Sequence, residues 1–203
     1  MLSPAFRHRP FSFRGRLVNP VAGIVAAGMA LIVLVAAILI GIRLHRSPTA
    51  GDALKVALSQ VGTTEDAAGG SKFNRWFMSS PFAKAGVARD GGSIGDYANA
   101  SWCDMFVTWV GVQSGVKGIG GDAYTPAHAE WFKEQGRWGA TPRPGAVVFF
   151  SWNGGGIEHV GLVIKDNHDG TIQTVEGNTD DAVRVRTRSK DDVVGYGYPE
   201  YSA

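Results

Sequence analysis

Sulfur chemistry is scarce in this chain: its 203 residues include one cysteine, Cys103. A lone thiol excludes an internal disulfide. Acidic residues are missing from the amino-terminal end, where Arg7, Arg9, Arg14 and Arg16 fall within the first twenty residues without an aspartate or glutamate. The formal net charge is only +2 and the sequence pI about 8.8. The basic excess is therefore local and speaks of membrane topology, not of a nucleic-acid patch, and no nucleic-acid partner is expected. No internal repeat or second low-complexity stretch is present. At 44% hydrophobic residues the chain is an ordinary folded one, long enough for one membrane segment and one domain with its own core.

Val21 to Ile42 is uncharged and almost wholly apolar, long enough to cross a hydrocarbon core of about 30 Å as a helix. The arginines before it predict a cytoplasmic tail over 1–20, an anchor over 21–42 and an extracytoplasmic domain, held single-pass in the plasma membrane. A cleaved signal peptide is the rival, but its apolar core would be about 7 to 15 residues, and Arg43, His45 and Arg46 follow here without a small-x-small site. Residues 43–51, with Ser47-Pro48-Thr49-Ala50-Gly51, read as a short linker. The domain then covers 52–203.

Asp52 predicts a helix N-cap, with Gly62 as the stop. Lys72 to Met78 is a short helix ended before Pro81, and Ala85 to Ala100, with four glycines, reads as a long loop. A helix runs from Cys103 with Met105, Phe106, Trp109 and Val110 on its buried side. Thr125-Pro126 opens another over Ala127 to Gln135. Strand patterns follow at Ala146–Trp152, His159–Lys165, Thr171–Glu176, Val183–Arg188 and Val193–Tyr198. Helices first and antiparallel strands after them predict an α+β domain, its helices on one face of the sheet.

Cys103 sits in the first turn of its helix, where unpaired amides and the helix dipole favour a thiolate. A cysteine in an apolar helix is also commonly an inert packing residue, so its neighbours decide. Among five histidines, His8 and His45 flank the membrane segment and His168 sits in a turn. His128 lies early in a helix and could line a cleft, although a surface or partly buried histidine is the commoner case. His159 opens an apolar strand after the Asn153-Gly154-Gly155-Gly156 loop. If Asp166 faces Thr171 across the following turn, Gly161 faces Glu176 and His159 faces Asn178. The three polar side chains then share one face, and Gly161 leaves room for Glu176 to reach the imidazole. A one-residue slip would turn Glu176 to the reverse face. A thiolate beside an imidazole oriented by a third polar group is the arrangement of nucleophilic amide cleavage.

Trp102-Cys103 opening Met105-Phe106-Val107, then Pro144-Gly145-Ala146-Val147-Val148-Phe149-Phe150, His159-Val160-Gly161-Leu162-Val163 and Glu176-Gly177-Asn178, resembles the CHAP domain family of cysteine, histidine-dependent amidohydrolases/peptidases, over nearly all of Asp52 to Tyr201. The resemblance implies a papain-like fold and hydrolysis of peptidoglycan as amidase or endopeptidase. It implies Cys103 as nucleophile, His159 as base and acid, Glu176 orienting the imidazole, and Asn178 as an auxiliary polar group. Trp102, Tyr124 and Trp152 are expected to line the substrate cleft. Asp104 departs from the small residue often found after the nucleophile, and places negative charge near the sulfur. Some members bind calcium before the cysteine; here only the separated Asp90 and Asp96 are available, so neither metal nor cofactor is expected. An NlpC-type endopeptidase and a catalytically silent wall-binding or secretion-assembly module are the alternatives.

Overall fold

The computed structural model describes residues 47–202 together with Leu31, Ile32, Leu34 and Val35. The chain divides into two units, Met1–Arg46 and Ser47–Ala203. In the first, the four described residues are helical and exposed; the rest of the expected tail and anchor lies outside the described residues. Among the described residues no helix is long and apolar enough to cross a membrane.

The second unit begins its first helix earlier than Asp52. Thr49 caps α1 (Ala50–Leu58): its hydroxyl accepts the Asp52 amide at 3.2 Å while Asp52 Oδ2 accepts the Thr49 amide at 2.9 Å. Asp52 thus fills the third helical position of a capping box, and the residues read as linker from Thr49 to Gly51 belong to the helix start. The Ser202 amide donates to the Pro48 carbonyl (3.0 Å), which ties the two ends of this unit together.

Helix α2 (Lys72–Met78) has the expected bounds and its own capping box, Ser71 with Asn74. The expected loop over Ala85–Ala100 is instead half helical. It contains most of α3 (Pro81–Asp90) and a 3-10 turn (Ile94–Tyr97). Pro81 ends the preceding helix and also starts this one: Ser80 caps it and proline occupies the first turn, where its missing N–H has no helical partner to lose. Helix α4 (Cys103–Ser114) ends at Gly115, whose φ of 70° supplies a left-handed cap. Helix α5 (Thr125–Glu134) follows, with its N-cap at Tyr124.

Among the described residues six strands follow: β1 (Trp138–Gly139), β2 (Val147–Phe150), β3 (His159–Asp166), β4 (Thr171–Thr179), β5 (Ala182–Ser189) and β6 (Val193–Gly197), in the antiparallel order β1-β6-β2-β3-β4-β5. Helices before an antiparallel sheet bear out the α+β expectation. Alternation along the strands separates two faces. Val147, Phe149, Val160, Leu162 and Val175 pack into one core with the helices, while Val148, Phe150, Val163, Ile172 and Tyr196 build a second cluster. Helix α4 is central, packing on α1, α2, β3 and β4. Gly177 permits its close approach to β4, since a Cβ there would stand 2.6 Å from that of Phe106.

Candidate active site

The β3–β4 hairpin sets the geometry. Asp166 faces Ile172 and Lys165 faces Gln173, one residue off the expected register, but an irregularity between Val163 and Lys165 restores it: Val163 faces Thr174 and Leu162 faces Val175. The bulge absorbs one residue, so Gly161 comes against Glu176, and a Cβ on Gly161 would lie 2.6 Å from Glu176 Cγ. His159 and Glu176 therefore project to the same side, and His159 Nε2 donates to Glu176 Oε2 at 2.9 Å. With Nε2 engaged by a carboxylate, Nδ1 is the ring nitrogen left for a proton acceptor's role.

Glu176 is fully buried and saturated with donors. Arg188 reaches both oxygens, Nε to Oε1 at 3.0 Å and Nη2 to Oε2 at 2.6 Å, and Thr174 Oγ1 donates to Oε1 at 2.5 Å. Burial alone would raise its pKa, but the hydrogen bonds and charges of His159 and Arg188, with Thr174, outweigh it and hold the carboxyl at about 2. Glu176 is thus an ionised partner for the imidazole, too weak a base to take its proton.

Cys103 comes to the same end of β3 from the helix side. Helix α4 starts without a side-chain cap, and the backbone amides of Asp104, Val160 and Cys103 itself favour the charged form of the sulfur. Val160 is the neighbour of His159 in β3. The thiol is nevertheless not acidified. Burial first, and the Asp104 carboxylate second, push it up to about 12, outweighing those amides. The expectation of a dipole-stabilised thiolate gives way because the first turn is buried and carries an adjacent acid.

Asn178 does not face the imidazole as its expected register implied. Its φ of 56° turns the backbone out of the extended conformation, beyond an irregularity in the β4–β5 ladder after Glu176. Its Oδ1 accepts the Trp102 amide at 3.1 Å and its Nδ2 donates to Glu65 Oε1 at 2.7 Å. Asn178 thus fastens the residue before the cysteine.

Of the three expected cleft aromatics, Trp102 is corrected outright. It is fully buried, stacked on Phe73 at 5.2 Å, with its indole N–H donated to Glu65 Oε1 at 2.7 Å. Its apolar surface joins the helical core and cannot line an open cleft. Tyr124 is 58% exposed at the head of α5. Trp152 is 42% exposed and stands 5.6 Å from the His159 ring, stacked on Phe150 at 5.7 Å.

Three groups join this constellation without having been singled out from the sequence for a site role, Glu65, Thr174 and Arg188, and Asp104, expected only to place charge near the sulfur, also has a partner. His128, read as a surface or partly buried histidine, is fully buried; its Nδ1 meets Asp104 Oδ1 at 2.7 Å and its Nε2 the Ile119 carbonyl at 2.6 Å. A carbonyl only accepts, so Nε2 carries hydrogen and the second proton lies between Asp104 and Nδ1. Burial pushes Asp104 up against the pull of His128; burial would lower His128, but Asp104 raises it. Asp104 Oδ2 is buried without a hydrogen-bond partner. A charged residue inside an otherwise apolar window was the one signal of this pair in the sequence. Asp90 pairs with Arg89 and Asp96 caps Ser93. Among the described residues no three His, Cys, Asp or Glu side chains form a metal-binding group.

Compared with known proteins, residues 95–178 match the CHAP domain family, an interval that includes Cys103, His159, Glu176 and Asn178. No curated protein matches the chain.

Proposed function

We propose, starting from the match of residues 95–178 to the CHAP domain, that the chain is a peptidoglycan hydrolase cleaving an amide bond, as an N-acetylmuramoyl-L-alanine amidase or a stem or cross-bridge endopeptidase. The observation that carries this reading is the His159 Nε2 to Glu176 Oε2 hydrogen bond of 2.9 Å, on a strand whose next residue, Val160, acts through its backbone on the Cys103 sulfur. Cys103 is the nucleophile. Its raised pKa makes the resting group a thiol, so His159 acts as general base through Nδ1, removing the thiol proton as sulfur attacks the carbonyl carbon. The carbonyl oxygen becomes an oxyanion, for which the Cys103 amide at the uncapped start of α4 is one donor. The imidazolium, oriented by ionised Glu176, then protonates the departing amine, and water activated by the neutral imidazole cleaves the thioester. Asn178 holds Trp102 and so sets the start of the helix that carries the nucleophile. Trp152, exposed beside His159, borders the substrate path.

The anchor over Val21–Ile42 belongs to the same proposal: it places the hydrolase at the outer face of the plasma membrane, against its polymeric substrate. The test is digestion of purified peptidoglycan followed by mass spectrometry, which identifies the bond cut. Cys103→Ala should fold and release no fragments; wild-type release from that variant sinks the cysteine mechanism. A wild-type chain that binds peptidoglycan without cleaving it would favour the silent wall-binding module.

A further inference from the structure

Arg188 lies on the edge strand β5, outside the interval matched to the CHAP domain. Its guanidinium forks onto the two oxygens of Glu176, at 3.0 and 2.6 Å. It also stands 5.1 Å from the Trp152 ring and 5.8 Å from the Phe150 ring. Those rings in turn flank the His159 imidazole at 5.6 and 6.1 Å. Arg188 therefore touches the carboxylate and both rings that pack on the imidazole.

A buried carboxylate needs a compensating charge. An imidazole that is to accept a proton supplies a hydrogen bond but no charge, so in that state the counter-ion must come from elsewhere. Around Glu176, His159 faces it from β3, Thr174 from β4 itself and Arg188 from β5. Arg184 is its direct partner in register but pairs with Asp180, as does Arg186. Asp180 and Asp192 act electrostatically on Arg188, and Asp104 and His159 act on each other from α4 and β3. Among the described residues that hydrogen-bond Glu176, Arg188 is the one whose charge does not depend on the state of the imidazole. A fork also fixes a plane: two parallel N–H···O bonds hold the carboxylate against rotation, which a point charge cannot do.

We propose that Arg188 is a positioning residue of this site: it neutralises Glu176 and locks its plane, so that Oε2 holds the imidazole with Nδ1 toward the thiol. This rests on the proposed function only in giving His159 the role of base. Without Arg188 the buried carboxylate takes up a proton more readily, and the imidazole loses its ionised partner at higher pH.

The experiment titrates Glu176 by carboxyl-carbon NMR in the full chain, assigned with Glu176→Gln, for wild type, Arg188→Met and Arg188→Lys. In Arg188→Met the midpoint should rise by about one pH unit or more, and in Arg188→Lys, which keeps the charge but loses the fork, by less. In the hydrolysis assay the acid-side loss of kcat should move up in pH for Arg188→Met. Arg188→Lys should lower kcat severalfold with KM nearly unchanged. An unmoved Glu176 midpoint in folded Arg188→Met overturns the proposal; should that variant not fold, an unmoved midpoint in Arg188→Lys does so. Absence of hydrolysis by the wild type would count against the proposed function alone, since the NMR midpoints still decide the role of Arg188.

Discussion

Cys103 and Asp104 are neighbours with opposed demands. The sulfur must give up a proton to react, and the adjacent buried acid makes that harder. His128 answers part of the conflict by sharing a proton with Asp104, at 2.7 Å. Its Nε2–H, fixed on the Ile119 carbonyl, leaves Nδ1 able to accept from an amide. Asp104→Asn therefore keeps the contact, its Nδ2 donating to Nδ1, while removing the charge. In that variant the pH midpoint for iodoacetamide alkylation of Cys103 should fall by about half to one unit. An equal or higher midpoint would show that Asp104 does not hold the thiol proton. Glu65 works at the same scale through geometry: one oxygen takes both the Trp102 indole and the Asn178 amide.

Among the elements, the β3–β4 hairpin and α4 carry the site, and they were unequally legible. The start of α4 at Cys103 followed from apolar spacing, and the pairing of His159 with Glu176 from strand alternation. The hairpin reached the right answer through a wrong turn register, because a bulge after Val163 is invisible to a period-two pattern. Trp102 was misplaced since periodicity marks a residue as apolar without separating core from cleft rim. Helix α3 was hidden by its weak amphipathic pattern, with only Ala83 and Gly86 buried. Arg188 and His128 depend on contacts between distant elements, which local spacing does not encode. Gly161 was legible for its true reason, the room it leaves for Glu176. Gly161→Ala should cost about 1–3 kcal/mol in urea unfolding and displace the carboxylate, lowering kcat more than a surface alanine would. Unchanged stability and kcat would mean that the hairpin yields freely at that point.

For the molecule as a whole, the same carboxylate links the site to acid stability. The pKa of Glu176 is about 2 in the folded state against an ordinary 4.5. The depressed value makes its contribution complete above about 4.5 and lost progressively as pH falls toward about 2, on the order of 3 kcal/mol in all. Glu176→Gln removes this dependence, so the stability gap between wild type and variant in urea should narrow across that window. A constant gap would contradict the assignment. The tie between Ser202 and Pro48 closes the domain where it opens. Tension along the upstream segment would consequently load this clasp and the Thr49 cap before α1 could unravel, so a pull from that side meets a buckle ahead of the catalytic helix.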